Sequence, residues 1–153
     1  MRQLFTGLFV FFSATLFGQT TDKVDSVTFC FIKYKVPIGC TAKSEYQVQC
    51  DNYSIVWLYM NEQMMQSMPD QFVNQMAGRM ENFKKKSITC YLLDNPVKGY
   101  AISFKKDSGT GHQLIAYGVA NGQPVLVQLS LNSEPKTNDD IPEFPRQIIR
   151  MTK

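Results

Sequence analysis

Residues 113–131 read Gln-Leu-Ile-Ala-Tyr-Gly-Val-Ala-Asn-Gly-Gln-Pro-Val-Leu-Val-Gln-Leu-Ser-Leu, and they contain the clearest structural signal of the chain. Asn121-Gly122 lies between two segments rich in aliphatic residues. This dipeptide is the strongest short-range signal for a β-hairpin with a two-residue turn. The sequence therefore predicts two antiparallel strands, one over residues 113–120 and one over residues 124–131.

The segments before this hairpin carry further strand signals. Residues 53–60 are almost continuously apolar, which is typical of a central strand covered on both faces. In residues 27–36, apolar side chains alternate with Lys33 and Lys35, which predicts one strand with a single buried face. Shorter strands are predicted over residues 45–50, 87–93 and 99–105, and the turn-rich residues 106–112 connect the last of these to the hairpin.

Two helices are predicted. The first begins at Ser67, a typical N-cap residue, with Asp70 as the second half of a capping box and Pro69 tolerated in the first turn. Its apolar stripe consists of Phe72, Val73, Met76, Ala77, Met80 and Phe83. This methionine-rich stripe either packs on the sheet or forms an adaptable binding surface. The second helix is short and covers residues 144–151.

This order of elements predicts an α+β protein, in which a mainly antiparallel sheet has one long helix and a C-terminal helix packed on it. We expect a signal peptide over residues 1–18, a flexible leader over residues 19–26 and a single domain over residues 27–153. Arg2 followed by an apolar run that ends at Gly18 has the layout of a secretory signal. The run is shorter than the roughly 20 residues of a membrane span, so we expect a periplasmic or secreted protein without a membrane span.

The charge of the chain excludes one class of partner. The sequence has 16 Lys and Arg against 13 Asp and Glu. Nucleic-acid binding requires a concentrated basic face, so we expect no nucleic-acid partner. The only basic run is Lys84-Lys85-Lys86, which is interpreted as the solvated end of the long helix.

The four cysteines predict disulfides. Cys30, Cys40, Cys50 and Cys90 form an even set in a chain with an export signal. We favour two structural disulfides, with Cys40–Cys50 and Cys30–Cys90 as one of the three possible pairings, among which the sequence alone does not choose. The alternative is that cysteines are buried as free thiols. The spacing fits neither a thioredoxin-like motif nor a zinc site.

No catalytic motif is recognisable, and we expect no enzymatic activity, cofactor or metal. His112 is the only histidine and falls in a predicted turn. A Cys90–His112 pair is conceivable as a nucleophile and base. Asp139-Asp140 is interpreted as a solvated turn. The alternative is a hydrolase whose site is assembled from scattered residues, with Tyr46, Tyr53, Cys90 and His112 as the first candidates.

The chain resembles the PsbP/Mog1/DcrB-like group of small domains. The resemblance rests on Tyr34-Lys-Val-Pro-Ile-Gly39 at the end of the first strand, on the long central helix, and on Pro145-Arg-Gln-Ile-Ile149 near the C-terminus. It covers residues 27–151 and lies in the pattern more than in identity. It implies a small α-β-α sandwich and, for many members, a non-catalytic adaptor or periplasmic role.

These observations favour an exported protein that binds another protein. The most specific form of this hypothesis is an immunity or inhibitor protein that neutralises a secreted bacterial toxin. The predicted contact loops are residues 106–112 and 132–143, because binding residues concentrate on loops of rigid scaffolds. The candidate contact residues are Asp107, His112, Asp139, Asp140 and Glu143. The alternative is a periplasmic small-ligand or lipid-binding protein that uses the methionine stripe, which would require a large apolar cavity between helix and sheet.

Overall fold

The structure of the chain is a computed structural model that describes residues 24–152. The predicted signal peptide (1–18) lies outside the described residues, as does most of the leader. Of the leader, Val24 and Asp25 have no regular structure, and Ser26 already begins the first strand.

The described residues form an eight-stranded antiparallel sheet, a separate two-stranded hairpin and two helices. The strands are β1 (Ser26–Phe29), β2 (Ile32–Lys35), β3 (Thr41–Ser44), β4 (Gln47–Gln49), β5 (Tyr53–Tyr59), β6 (Lys84–Leu92), β7 (Asn95–Lys106), β8 (Gly109–Ala120), β9 (Gln123–Leu131) and β10 (Ile149–Arg150). The helices are α1 (Glu62–Arg79) and α2 (Glu143–Arg146). The sheet order is β10-β6-β7-β8-β9-β5-β4-β3, and β1 pairs only with β2. This architecture confirms the coarse prediction of an α+β protein with a mainly antiparallel sheet.

The hairpin predicted at Asn121-Gly122 is confirmed. These residues have φ values of 45° and 72°, the pair of positive values that a type I′ turn requires. The β6–β7 connection at Leu93 and Asp94 has nearly the same values, 47° and 70°. Strands β6 to β9 therefore form one continuous meander of long strands.

One predicted strand is in fact a hairpin. Residues 27–36 turn back at Cys30 and Phe31, whose φ values are 47° and 69°, so that Phe29 of β1 pairs with Ile32 of β2. The prediction of a single strand was wrong because neither turn residue belongs to the usual turn formers. The short strand predicted over residues 45–50 is present as β4, and it forms a second hairpin with β3, a strand that was not predicted.

Helix α1 begins earlier than predicted. Its N-cap is Asn61, whose side-chain oxygen accepts a hydrogen bond from the Met64 N–H at 2.8 Å, and Ser67 lies inside the helix. Pro69 is therefore an interior residue, and it is buried against the sheet. The helix ends at Arg79, so Lys84-Lys85-Lys86 is the exposed start of β6 and not a helix end.

The sheet has a hydrophobic cluster on each face. The smaller cluster lies under α1 and includes Val73, Met76 and Ile115. The larger cluster lies on the other face, which we call the inner face; it contains Trp57 and Leu114 and is completed by residues of the β1–β2 hairpin and of the C-terminal segment. A long second helix is thus absent from the inner layer of the described chain, which differs from the α-β-α arrangement implied by the resemblance.

The C-terminal segment does not form the helix predicted over residues 144–151. It makes a 3-10 turn at Asn138–Asp140 and the single helical turn α2, and Ile149 then pairs with Leu92 of β6. The Leu93 N–H also donates to the Ile148 carbonyl. Phe144 and Ile148 are buried, but the chain that follows them pairs with the open edge of β6 and forms a strand.

One of the two predicted disulfides is present. Cys40–Cys50 joins the two ends of the β3–β4 hairpin. Cys30 and Cys90 are free and fully buried, so the predicted Cys30–Cys90 bond is not formed. Cys30 lies in the β1–β2 turn, whereas the Cys90 sulfur faces Gly99 within the meander. These two cysteines are therefore buried free thiols, which was the alternative to a second disulfide.

Candidate functional site

A groove of about 590 Å³ lies between the β1–β2 hairpin and the β3–β4 hairpin. We call it the hairpin groove. Its apolar lining includes Val24, Phe31, Tyr46 and Tyr59. Phe31 is 74% exposed and Tyr46 is 46% exposed, although both are large apolar side chains. Exposed apolar surface that is concentrated around a concavity is typical of a binding site.

The turn that presents Phe31 is held from outside by two hydrogen bonds. The Cys30 N–H donates to the Tyr59 hydroxyl at 2.7 Å, and the Asn121 side-chain amide donates to the Cys30 carbonyl at 3.2 Å. Below the turn, the fully buried Phe29 packs edge-on against Trp57, with ring centroids 5.6 Å apart. The backbone of the turn that carries Phe31 is therefore held by β5 and by the β8–β9 turn.

The conformation of Phe31 is unfavourable for its residue type. A left-handed backbone conformation costs an L-residue roughly 1–2 kcal/mol, and bulky residues are rare there. The β8–β9 turn has the same geometry with the favoured Asn-Gly pair. Strained residues that persist because their surroundings hold them are concentrated at functional sites. Phe31 is such a residue, and its ring contributes little to the core because it is mostly exposed.

Phe31 is not among the residues predicted from the sequence. If residues 27–36 are read as a single strand, Phe31 falls on the same face as Lys33 and Lys35. Val27 and Phe29 share this face, so an apolar residue at position 31 does not stand out there, and the alternating pattern contains no signal for the turn. Tyr46, considered only as a catalytic candidate, forms part of the same groove and packs edge-on against Tyr59 with centroids 6.0 Å apart.

The five predicted contact residues lie in three separate places. Asp107 is in the β7–β8 turn, as expected, but His112 is in β8, where it pairs with Ser103 and Leu131. His112 is therefore half-buried on the sheet and not in a loop. The register of the β7–β8 hairpin places the turn at residues 107–108, four positions before His112, which is why the loop prediction failed there.

The acidic residues of the C-terminal segment are engaged within the chain. One Asp140 carboxylate oxygen accepts hydrogen bonds from the Lys136 and Thr137 N–H groups, both at 2.9 Å, and these bonds lower the pKa of the carboxyl group. Asp139 forms an ion pair with Arg146 at 2.9 Å. Glu143 begins α2 and is exposed. A role for these residues in partner binding stays a prediction.

The pair of Cys90 and His112, considered as a conceivable nucleophile and base, is not formed. Cys90 pairs with Val97 and His112 with Ser103, and these partners are six positions apart on β7, which corresponds to about 20 Å. Burial raises the pKa of the Cys90 thiol to about 12, so this group stays protonated at neutral pH.

The remaining catalytic candidate, Tyr53, is also a structural residue. Burial raises the pKa of its hydroxyl to about 12, and the hydroxyl lies 3.7 Å from the Cys40 sulfur inside the core. Among residues 24–152, no group of three or more His, Cys, Asp or Glu side chains is arranged to hold a metal ion.

A second open groove, of about 720 Å³, lies between the first half of α1 and strands β7 and β8. We call it the helix groove. Its lining combines apolar residues such as Met65 and Val119 with polar residues such as Asp70. The Tyr100 hydroxyl donates to an Asp70 carboxylate oxygen at 2.7 Å. The groove is thus partly polar and open to solvent. Neither helix in the described part of the chain is long and apolar enough to cross a membrane.

Comparison with known proteins gives no further assignment. No model of a known protein family matches the chain, and no curated protein sequence matches it at a significant level. The resemblance to the PsbP/Mog1/DcrB-like group therefore stays a prediction.

Proposed function

We propose that this protein is an exported, non-catalytic binding protein that recognises a partner protein through the hairpin groove. The proposal rests on one observation: a strained turn, held by Tyr59 and Asn121, places the exposed ring of Phe31 at the rim of a groove. A rigid aromatic side chain loses little conformational entropy on binding, and aromatic residues are enriched among the residues that dominate binding energy.

In its most specific form, the proposal is that the partner is a secreted bacterial toxin and that this protein inhibits it. The signal-peptide pattern of residues 1–18 and the Cys40–Cys50 disulfide are compatible with export to an oxidising compartment. A rigid scaffold with a preformed contact surface is suited to blocking an active site, because preorganisation reduces the entropy lost on binding. The resemblance to a group with many non-catalytic periplasmic members is in line with this role.

The expected contribution of Phe31 follows from its exposure. Full burial of a phenylalanine side chain contributes about 1.5–3 kcal/mol, and most of the ring is exposed in the free protein. Burial of the ring by a partner should therefore contribute about 2 kcal/mol, which corresponds to a roughly 30-fold change in Kd. Tyr46, which is less exposed, should contribute less.

The test uses the processed chain as bait for proteins secreted by competing bacteria. A captured protein is purified, and its affinity for the wild type and for Phe31→Ala and Val119→Ala is measured by biolayer interferometry. Val119 is a matched control because it is 53% exposed but lies in the helix groove. We expect Phe31→Ala to weaken binding by roughly 10- to 30-fold and Val119→Ala to change it by less than about twofold.

Two further outcomes decide between forms of the proposal. Wild-type protein that abolishes the toxicity of the captured protein supports the inhibitor form, whereas binding without an effect on its activity supports a binding protein of another kind. Equal affinity of Phe31→Ala and wild type would refute the hairpin groove as the contact site. If Asp107→Asn or Glu143→Gln weakens binding and Phe31→Ala does not, the result would support the contact loops predicted from the sequence.

The helix groove favours a second candidate function, the binding of a small amphipathic ligand. Its lining includes one adaptable methionine, Met65, and its volume lies in the range of small-molecule sites. Displacement of a fluorescent fatty acid tests this candidate. Val119→Glu should abolish binding of the fatty acid if the ligand occupies the helix groove, and Phe31→Ala should leave it unchanged.

A further inference from the structure

A separate pocket of about 240 Å³ lies near the start of β6, where the inner face of the sheet is not covered by the β1–β2 hairpin. We call it the lysine pocket. The strand register aligns Lys84, Ser103 and His112 in one row across β6, β7 and β8. The next row contains Lys86 and Leu114, and Leu114 belongs to the inner-face core. Because side chains two positions apart share a face, all these residues face the pocket side.

The cationic groups of this pocket have no compensating partner. Within residues 24–152, neither Lys84 nor Lys86 lies within ion-pair distance of a carboxylate. Lys85 belongs to the opposite face, where its ammonium lies 5.5 Å from the centre of the Tyr100 ring. Glu134 lines the pocket but forms no ion pair with either lysine. The pocket therefore carries two ammonium groups against one carboxylate, with a hydroxyl and an imidazole beside them.

We propose that the lysine pocket binds a small oxyanion, the phosphate or carboxylate group of a compact ligand, through Lys84 and Lys86. The Ser103 hydroxyl and the His112 imidazole N–H, which lie in the same row as Lys84, supply hydrogen bonds, and charge-assisted bonds of this kind are about twice as strong as neutral ones. The volume corresponds to about eight water molecules at about 30 Å³ each, so the ligand is a small molecule. The Glu134 carboxylate repels a second negative charge on the ligand, and it accepts hydrogen bonds from hydroxyl groups of the ligand.

This inference is independent of the proposed protein-binding function. The lysine pocket shares no lining residue with the hairpin groove or with the helix groove. Binding of an oxyanion here is therefore expected whether or not a partner protein binds through Phe31.

The test uses the single histidine as a reporter. His112 is the only histidine in the chain, so its ring signals in a proton NMR spectrum are assigned without mutagenesis. The processed chain is titrated at constant pH with sodium phosphate and separately with sodium acetate, and sodium chloride keeps the ionic strength constant. We expect a saturable shift of the His112 signals with at least one of the two anions. Saturation by phosphate alone identifies a phosphate site, and saturation by acetate alone identifies a carboxylate site.

Three variants complete the experiment. Lys84→Gln combined with Lys86→Gln should weaken binding by about tenfold or more, because two charge-assisted contacts are lost. Lys33→Gln combined with Lys35→Gln is the matched control, since these exposed lysines have the same spacing on β2. It should leave binding unchanged. Glu134→Gln should strengthen binding by a few-fold through removal of the opposing charge.

The proposal is overturned by either of two results. One is a shift that stays linear with both anions up to the highest concentration, which indicates only general ionic effects. The other is an equal loss of binding in the Lys84/Lys86 and Lys33/Lys35 variants. Circular dichroism spectra of all variants show whether they are folded, and the exposed positions of the four lysines make unfolding unexpected.

Discussion

Replacement of Phe31 by glycine should stabilise the protein even though it removes an aromatic ring. Glycine has no Cβ atom and adopts a φ of 69° without strain, which relieves roughly 1–2 kcal/mol. The loss of the partly buried ring costs about 0.5 kcal/mol, since the residue is 74% exposed. The greater entropy of glycine in the unfolded chain costs about another 0.5 kcal/mol. The net expectation for Phe31→Gly is a gain of about 0.5 kcal/mol over the wild type.

Two matched variants isolate the strain. Phe31→Ala loses the ring but keeps the Cβ atom, so it should be about 0.5 kcal/mol less stable than the wild type and about 1 kcal/mol less stable than Phe31→Gly. Gly122→Ala introduces a Cβ atom into the turn of equal geometry, where nothing lies within 4 Å of it, and should cost about 1 kcal/mol.

Urea unfolding followed by tryptophan fluorescence measures all three variants, because Trp57 is the only tryptophan and is buried. The m-value should stay constant, so that a change in the midpoint reports stability alone. A Phe31→Gly variant that is no more stable than Phe31→Ala would refute backbone strain at this position. If the variants show the predicted order of stability and Phe31→Gly no longer binds the partner, then phenylalanine at position 31 lowers the stability of the protein but is required for its function.

Three other changes have defined expected outcomes. Burial raises the pKa of the Cys90 thiol from 9.0 to about 12. The contribution of the protonated thiol to the free energy of unfolding is therefore complete below pH 9, and it is lost as the pH rises towards 12. Base titration monitored by fluorescence checks this. Replacement of both Cys40 and Cys50 by alanine should destabilise the fold by about 3 kcal/mol, as urea unfolding will show, because the disulfide closes a loop with a sequence separation of 10. Gly99→Ala should lower the melting temperature strongly, because its Cβ atom would lie 2.8 Å from the Cys90 sulfur, whereas Gly78→Ala in the open helix surface should raise it slightly.

The elements that could be predicted from the sequence are those whose conformation is determined by residues within the element itself. The β8–β9 hairpin follows from Asn121-Gly122, and the central strand β5 follows from its own apolar run. The β1–β2 turn depends on Tyr59 and Asn121, which are 29 and 91 residues from Cys30 along the chain. Such a turn has no signal in its own residues. The alternating pattern of residues 27–36 therefore led to the prediction of a single strand.

The two helices illustrate the same difference. Both Asn61 and Ser67 are suitable N-cap residues, and the helix begins at the earlier one, so that Pro69 lies in its interior. At the C-terminus, residues 149–150 form a strand because the edge of β6 is available in space. The candidate site was missed for a related reason: Phe31 and Tyr46 come together only after two hairpins have formed.

The hairpin groove and the lysine pocket lie at opposite ends of the same sheet, and this separation makes a cross-test informative. The hairpin is tied to Asn121 at one end of β8, whereas His112 is nine positions away, about 30 Å along the strand. Substitutions that are more than about 10 Å apart and share no partner have additive effects. Phe31→Ala should therefore leave the phosphate-induced shift of the His112 signals unchanged, and the Lys84/Lys86 double variant should leave partner binding unchanged. If each substitution also changes binding at the other site, the two sites are not independent, because coupling between binding sites is reciprocal. Such a result would require a conformational change of the sheet whose equilibrium is shifted by binding at either site.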